Sequence, residues 1–244
     1  MIKGLSWLST LKNTMVNSQT TAGYCVTCLS PHAINGLCEP CRNDLPVNHW
    51  QCPTCALPLA FPANNHQCGD CLRSPPAFSL SVIPWRYQFP VDAMIGRYKY
   101  NGQRKYVRPL IAGLNQHLDQ HFQNPEILRP EALIPAPMHH WRRFTRGFNQ
   151  AQDIAEQLAR EWGIPVQGRL VRRCRKVHSQ RGLGRAERLR NLNGVFEVTG
   201  QVPERIAIVD DVVTTGATVR TLAQLLQTSG ARDIQVWALA RTPG

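Results

Sequence analysis

Four C-x-x-C pairs, Cys25/Cys28, Cys38/Cys41, Cys52/Cys55 and Cys68/Cys71, take eight of the chain's nine cysteines and crowd them into one short segment. A stretch of that length cannot bury enough apolar surface to fold unaided, so something must staple it. Met1 to Asn17 has only broken apolar pairs, not the continuous run of a secretory signal. A cytoplasmic location with free thiols is therefore expected, and a dense disulfide framework is not. Zinc accounts for the spacing: two residues between cysteines make a knuckle whose N–H groups can face the thiolates, and two knuckles supply one tetrahedral site. Two structural Zn²⁺ ions are expected on Cys25, Cys28, Cys38, Cys41, Cys52, Cys55, Cys68 and Cys71. The pairs can share metals in sequence, closing loops of nine and twelve residues, or in a cross-braced order, and the spacing leaves both open. All-thiolate sites keep no coordination position for substrate, which argues for a staple over the alternatives of redox C-x-x-C chemistry or an iron–sulfur cluster. His32, His49 and His66 are surplus to a full thiolate set and read as surface residues, and Cys174 reads as a packed strand residue.

The charge divides where the cysteines do. Residues 1–72 hold three basic and three acidic side chains, so the net +12 (28 Lys and Arg against 16 Asp and Glu) belongs to the remainder. Two domains follow, 21–73 as a double zinc ribbon and 74–244 as a basic domain, after a tail at 1–20, with the hinge at Leu72 to Pro76. Eight thiolates against two Zn²⁺ would bring the first part to about −4. At 43% hydrophobic the chain can build a core, and no run approaches the roughly 18 apolar residues of a membrane span.

In the basic part, Phe78 to Tyr87 alternates like a strand, and Ala132 to Ala136, Arg205 to Val209 and Ile234 to Ala240 read as buried strands. Helical patterns begin at Pro90 and cover Arg104 to His121, with Leu110, Ile111, Leu114 and Leu118 on one face. Asn149 to Trp162 places Ile154, Ala155, Leu158, Ala159 and Trp162 together, and Gly216 to Thr228 does so for Val219, Leu222, Ala223, Leu225 and Leu226. Strand–helix alternation predicts an α/β domain with a parallel sheet, whose ligands bind at the carboxyl ends of strands.

One such end carries the most chemistry: Ile206-Ala-Ile-Val-Asp-Asp-Val-Val-Thr-Thr-Gly-Ala-Thr218. Asp210 and Asp211 can accept hydrogen bonds from vicinal hydroxyls. Thr214, Thr215 and Thr218 offer hydroxyls, and the loop around Gly216 offers N–H groups at a helix start, which together make a phosphate cradle. A phosphate at one end and a diol at the other describe a ribose 5-phosphate. Helix capping by Thr214 or Thr215 is the plainer reading, but capping has no use for two acids at a strand end. No G-x-x-x-x-G-K-[ST] occurs, and Gly182-Leu-Gly184 fails as a dinucleotide fingerprint because no strand precedes it and Glu187 takes the third glycine's place.

The segment Asp210–Thr218 resembles the 5-phosphoribosyl-1-pyrophosphate (PRPP) loop of type I phosphoribosyltransferases. From about Cys25 to Arg241 the chain resembles the competence protein ComF family, including its GntX-type members, which pair a double zinc ribbon with a phosphoribosyltransferase-like domain. Besides that loop, the resemblance rests on the paired cysteines with Cys68-Gly-x-Cys71-Leu and Pro75-Pro76. It rests also on Pro135-Ala-Pro-Met138 followed by Arg146-Gly-Phe-Asn-Gln150, and on Arg173-x-Arg175 with Gln180, Leu183, Arg188 and Asn191. Val177 departs from a usual threonine, and Ala136 and Met138 from a usual Val and Leu.

The resemblance implies an α/β fold, a type I phosphoribosyltransferase-like parallel-sheet domain preceded by a small double zinc ribbon. It implies Asp210, Asp211 and Arg188 as catalytic residues. PRPP would be bound by Val212, Val213, Thr214, Thr215, Gly216, Ala217 and Thr218, with Pro135, Ala136, Pro137, Met138, Arg146 and Gln180. Pyrophosphate would sit on the loop Pro135 to Arg143, under a mobile loop from roughly Arg172 to Arg190, and Mg²⁺ would arrive with PRPP. Arg169 to Arg190 holds nine basic residues and one acid, Glu187. That run, with Arg97, Lys99, Arg104, Lys105, Arg108, Arg142, Arg143 and Arg146, also reads as a footprint for single-stranded DNA. Trp141, Phe144 and Phe148 would stack on bases or pack in the core. The family's association with DNA uptake and use implies a competence or DNA-utilisation protein that binds PRPP or a related ligand, with uptake-machinery proteins as partners. An active transferase moving ribose 5-phosphate onto an unidentified nitrogenous base is the alternative.

Overall fold

The computed structural model describes residues 23–62, 66–138, 147–174 and 194–243. The two cysteine segments repeat one local design. Within each first pair the chain turns through a left-handed residue, Leu29 (φ 62°) or Ala56 (φ 53°), just after the second cysteine. Hydrogen bonds from Leu29 N to Cys25 O and from Ala56 N to Cys52 O, both 2.9 Å, close these knuckles. Each second pair opens a five-residue helix with its leading cysteine at the N-cap: Cys38 before α1 (Glu39–Asn43) and Cys68 before α2 (Gly69–Arg73).

A parallel sheet follows, in the order β1 (Leu80–Val82), β7 (Asp233–Arg241), β6 (Arg205–Val213), β3 (Ala132–Pro135), with β2 (Trp85–Arg86) also on β7. The run from Phe78 to Tyr87 is thus two short strands on one edge rather than one. β4 (Val171–Arg173) and β5 (Phe196–Val198) form a separate antiparallel pair.

Alternate residues of the buried strands supply opposite faces, as the period of two requires. Ala132, Ile134, Ile206, Ile208, Ile234, Val236 and Ala238 face α6 (Ala217–Thr228) and the second cysteine group. Leu133, Ala207, Val209, Trp237 and Leu239 face the first cysteine group and three helices, α3 (Val91–Asn101), α4 (Arg108–Phe122) and α5 (Gln150–Trp162). Leu110, Ile111, Leu114 and Leu118 are all buried, as their spacing predicts. On α5, Ile154, Ala155 and Leu158 are buried while Ala159 and Trp162 are only partly so. On α6 only Leu225 among the expected residues stays half-exposed.

The register makes a crevice. β3 stops at Pro135, opposite Val209, whereas β6 continues beside β7 to Val213, opposite Arg241. The strand therefore runs four residues past the Arg205–Val209 expected from apolar character, because pairing with β7 holds Asp210 and Asp211 in extended backbone. Beyond Pro135 no strand among the described residues pairs with this side of the overhang.

Candidate functional site

Asp210 and Asp211 sit on the overhang. Asp211 N–H donates to Asp210 Oδ1 at 2.8 Å. Lys99 Nζ, reaching across from α3, lies 2.9 Å from Asp211 Oδ1, with the two side chains only 15% and 12% exposed. Burial and the Asp211 charge push the Asp210 carboxyl up to about 7, against the pull of the Asp211 N–H and of Lys99. Asp210 is thus placed to change charge near neutrality.

Five residues after Asp211, Gly216 takes φ 75° as the N-cap of α6, a left-handed position that suits glycine. Thr214 is exposed, and Thr215, Gly216 and Thr218 are half-buried at the mouth of the turn. Thr215 Oγ1 accepts from Ala217 N–H at 3.4 Å, a long contact for a cap. Val212, Val213 and Ala217 are buried, so their contribution to any ligand is limited to backbone. The Val213 carbonyl is already taken by Thr242 N–H (3.1 Å) and by Arg241 Nη1 (3.1 Å).

The expected pyrophosphate loop starts beside the acids. Ala136 N–H donates to Val209 O at 2.8 Å, and Asn149, the side-chain cap of α5, donates through Nδ2 to Ala136 O at 3.4 Å. Pro135 and Ala136 are buried, Pro137 and Met138 half-buried. Arg146, Gln180 and Arg188 lie outside the described residues, as do Trp141, Arg142, Arg143, Phe144 and most of the basic run 169–190.

Two residues of the site escape sequence reasoning. Lys99 belongs by charge pattern to a basic surface, yet it is paired inside the crevice; its place one turn after the buried Ile95 and beside the buried Tyr98 is the available signal. Arg241 ends a buried strand and is 2% exposed, its guanidinium bonded to carbonyls at the loop entrance. Phe148 is half-buried against Tyr98, with ring centroids 5.2 Å apart. Cys174 is exposed rather than packed: it follows the last residue of the edge strand β4, and its thiol is 3.0 Å from Glu197 Oε2. A cleft of about 910 Å³ is lined in part by Arg104, Phe148, Asp153, Gln167 and Arg169, and neither Asp210 nor Asp211 is in its lining.

The cysteines group in sequence, Cys25/Cys28/Cys38/Cys41 and Cys52/Cys55/Cys68/Cys71, with the sulfurs of each set within 4.8 Å of one another. The cross-braced order is not the one adopted. Cys28 and Cys38 sulfurs stand 3.6 Å apart, as do those of Cys55 and Cys68. A tetrahedron of ~2.3 Å metal–sulfur bonds has sulfur–sulfur edges of about 3.8 Å, whereas a disulfide needs about 2.05 Å. Both donor sets fit a tetrahedral thiophilic ion. None of His32, His49 and His66, all exposed, belongs to either set.

No helix among the described residues is long and apolar enough to cross a membrane. No protein-family model matches the chain. Competence protein F of Haemophilus influenzae is 35% identical over 213 residues, 86% of this chain and 92% of its own length. DNA utilization protein YhgH of Salmonella typhimurium is 32% identical across 91% of this chain and 99% of its own. Competence protein ComFC of Streptococcus pneumoniae is 25% identical across 84% and 87%. Among solved structures, a purine phosphoribosyltransferase from Pyrococcus horikoshii Ot3 aligns with 55% of this chain and 82% of its own at TM-score 0.35 and 16% identity. The chain, by its extended similarity to the first two of these proteins, belongs to the competence protein F family.

Proposed function

We propose that this chain is a competence or DNA-utilisation protein of the cytoplasm that binds PRPP, or a related phosphoribosyl ligand, at the β6–α6 junction and handles imported single-stranded DNA. The observation that carries the reading is the overhang of β6, which sets two adjacent carboxylates beside a left-handed glycine turn and a helix N-terminus. The names of the relatives, competence protein F and DNA utilization protein, support the biological half.

In this reading Asp210 and Asp211 accept the ribose hydroxyls, and Lys99 holds the second carboxylate in place. Thr214, Thr215 and Thr218, with the N–H groups at the start of α6, take the 5′-phosphate. The loop from Pro135 to Met138 approaches the pyrophosphate, and Arg146, Gln180 and Arg188 complete the pocket. Mg²⁺ held by ligand oxygens and water would neutralise the diphosphate charge. Two Zn²⁺ ions bound by the cysteine groups would close the unit at 21–73 against the domain at 74–244, after the tail at 1–20.

The DNA-handling half is supported by a basic, aromatic face on α3 and the turn after it. Tyr100 is 73% exposed there, and Arg97 and Lys105 each lie 5.2 Å from the Tyr106 ring centre. Such a surface suits phosphates and stacked bases. Partners from the uptake machinery belong to the same proposal.

Calorimetry with PRPP and Mg²⁺ tests the pocket: binding is expected in the parent chain and lost in Asp210→Asn/Asp211→Asn. Binding that survives both substitutions overturns the assignment. Pyrophosphate release in the presence of a panel of bases, lost in the same variant, would establish the transferase alternative. Single-strand binding should weaken steeply with salt, and more shallowly after Arg97→Ala/Lys105→Ala. A slope unchanged by those substitutions counts against that face.

A further inference from the structure

The two cysteine groups repeat one local design but meet different partners. The first packs on the sheet face covered by α3, α4 and α5. The second shares its buried cluster with Val213, Ala217 and Val219, the residues that frame the threonine loop. Two arginines join it to that loop.

Arg241 is the more deeply placed. Its Nε donates to Cys55 O at 3.2 Å, inside the knuckle of the second group. Its Nη1 donates to Val213 O and Thr242 O, at 3.1 and 3.2 Å, and to Thr214 O. A planar, rigid guanidinium thus bonds the metal knuckle and the first residue of the loop at once. Its Nη2 lies 3.9 Å from where a Cβ on Gly216 would stand, directly beneath the left-handed turn.

Arg220 works from the other side. It stands on the first turn of α6 and donates Nη1 to Ser74 O at 2.7 Å and Nη2 to Cys71 Sγ at 3.4 Å. A thiolate bound to a metal keeps negative charge and accepts such a bond well, and partners of this kind orient metal ligands. Among the described residues the first group has no comparable bond from an arginine to a cysteine sulfur: Arg42, its nearest counterpart, donates to the Ile34 and Leu37 carbonyls.

We propose that the second cysteine group is the foundation of the phosphate loop, with Arg241 and Arg220 as positioning residues, so that metal occupancy at Cys52/Cys55/Cys68/Cys71 and phosphoribosyl affinity rise and fall together. This rests on reading Thr214–Thr218 as the phosphate cradle. Metal loss frees the Cys55 knuckle and the Cys71 sulfur, Arg241 and Arg220 lose one fixed end each, and the loop loses its preorganisation. Coupling of this kind is reciprocal: if metal tightens ligand binding, ligand must retain metal by the same factor.

The test uses the full chain loaded with zinc. PRPP with Mg²⁺ is added, cysteines are alkylated in the presence of a chelator, and mass spectrometry follows each cysteine in time. Bound PRPP is expected to slow modification of Cys52, Cys55, Cys68 and Cys71 by about tenfold while leaving Cys25, Cys28, Cys38 and Cys41 unchanged. Arg220→Met should weaken PRPP binding about tenfold and abolish the selective protection, and Arg220→Lys should restore part of both. Equal protection of the two groups, or none, in a chain that binds PRPP overturns the proposal.

Hydrogen exchange across residues 213–218 gives an arm that needs no ligand. Exchange should rise in Arg220→Met and in zinc-stripped protein; unchanged exchange in both refutes the coupling. If the parent chain binds no PRPP yet exchange responds as expected, the ligand assignment fails and the structural link stands.

Discussion

Replacing Lys99 by methionine keeps the length of the side chain and removes its charge from 2.9 Å of Asp211 Oδ1. Stranding one partner of a fully buried ion pair costs about 3–5 kcal/mol. Both side chains here retain a little exposure, 15% and 12%, so water can relieve part of the penalty and a loss of about 2–3 kcal/mol is expected. In a chain of this size that lowers Tm by about 4–12 °C. The pH dependence is the sharper readout. Asp210 has its folded pKa raised to about 7, so the fold binds more protons than the unfolded chain between about 4 and 7 and loses stability as pH rises through that window. Lys99 restrains the rise in pKa. Without it the carboxyl holds its proton to higher pH, and the decline should continue above pH 7 at up to about 1.4 kcal/mol per pH unit. The deficit of Lys99→Met against the parent, measured by urea unfolding at pH 5.5 and pH 8, should therefore grow with pH. Adding Asp211→Asn should recover most of the loss at pH 5.5, since the carboxylate that faced the lysine is then neutral. A deficit that is flat with pH, or a double variant as unstable as Lys99→Met, would refute the placement of Lys99 in the acid pair.

Ligand binding should report the same carboxyl. Ribose hydroxyls favour an ionised acceptor, so PRPP affinity should tighten as pH rises towards about 7 and level off above; Asp210→Asn, compared by calorimetry, should lose that part of the slope. Gly216→Ala meets no close atom, its Cβ standing 3.9 Å from Arg241 Nη2, but forces φ 75° on a residue with a side chain. It should cost about 1 kcal/mol in urea melts and loosen PRPP binding. Gly113→Ala would drive a methyl group into Trp85 Cζ2, whose indole fills the space above α4. A loss of about 1–3 kcal/mol is expected, with the tryptophan emission displaced.

Legibility in the sequence follows how local the signal is. The apolar runs at 132–136 and 234–240, the i, i+3, i+4 faces of α4 to α6, and the glycine turn before α6 are set by neighbours in sequence, and the structure keeps them. The helix expected from Arg104, however, begins only at Arg108, after a 3-10 turn over Arg104–Tyr106. β6 looks short in the sequence because Asp210 and Asp211 break its apolar run; only its pairing with β7 extends it to Val213. Lys99 and Asp211 are far apart in the chain and meet because α3 packs against the overhang, a contact no window of residues can reveal. Cys174 departs from its expected packed position for the converse reason: a strand-like neighbourhood says nothing about being on the edge of a two-stranded pair.

The cysteine pairs show the limit most clearly, because their local sequences predict the same knuckle and the same short helix twice. Their difference lies in what the rest of the chain brings to them. In the first group the left-handed Gly36 lies against Pro109 at the start of α4. In the second, the residues after α2 lead through Pro75 and Pro76 to β1 on the sheet edge, and the Cys55 carbonyl meets a guanidinium from the last residue of β7. A thiolate metal site at either place would carry a net charge of about −2. At the second, two arginines draw near that charge and carry its position to the loop expected to hold phosphate. One group can therefore serve as a staple for helices, while the other, under the proposed coupling, would tie a metal to the conformation of the loop expected to hold phosphate.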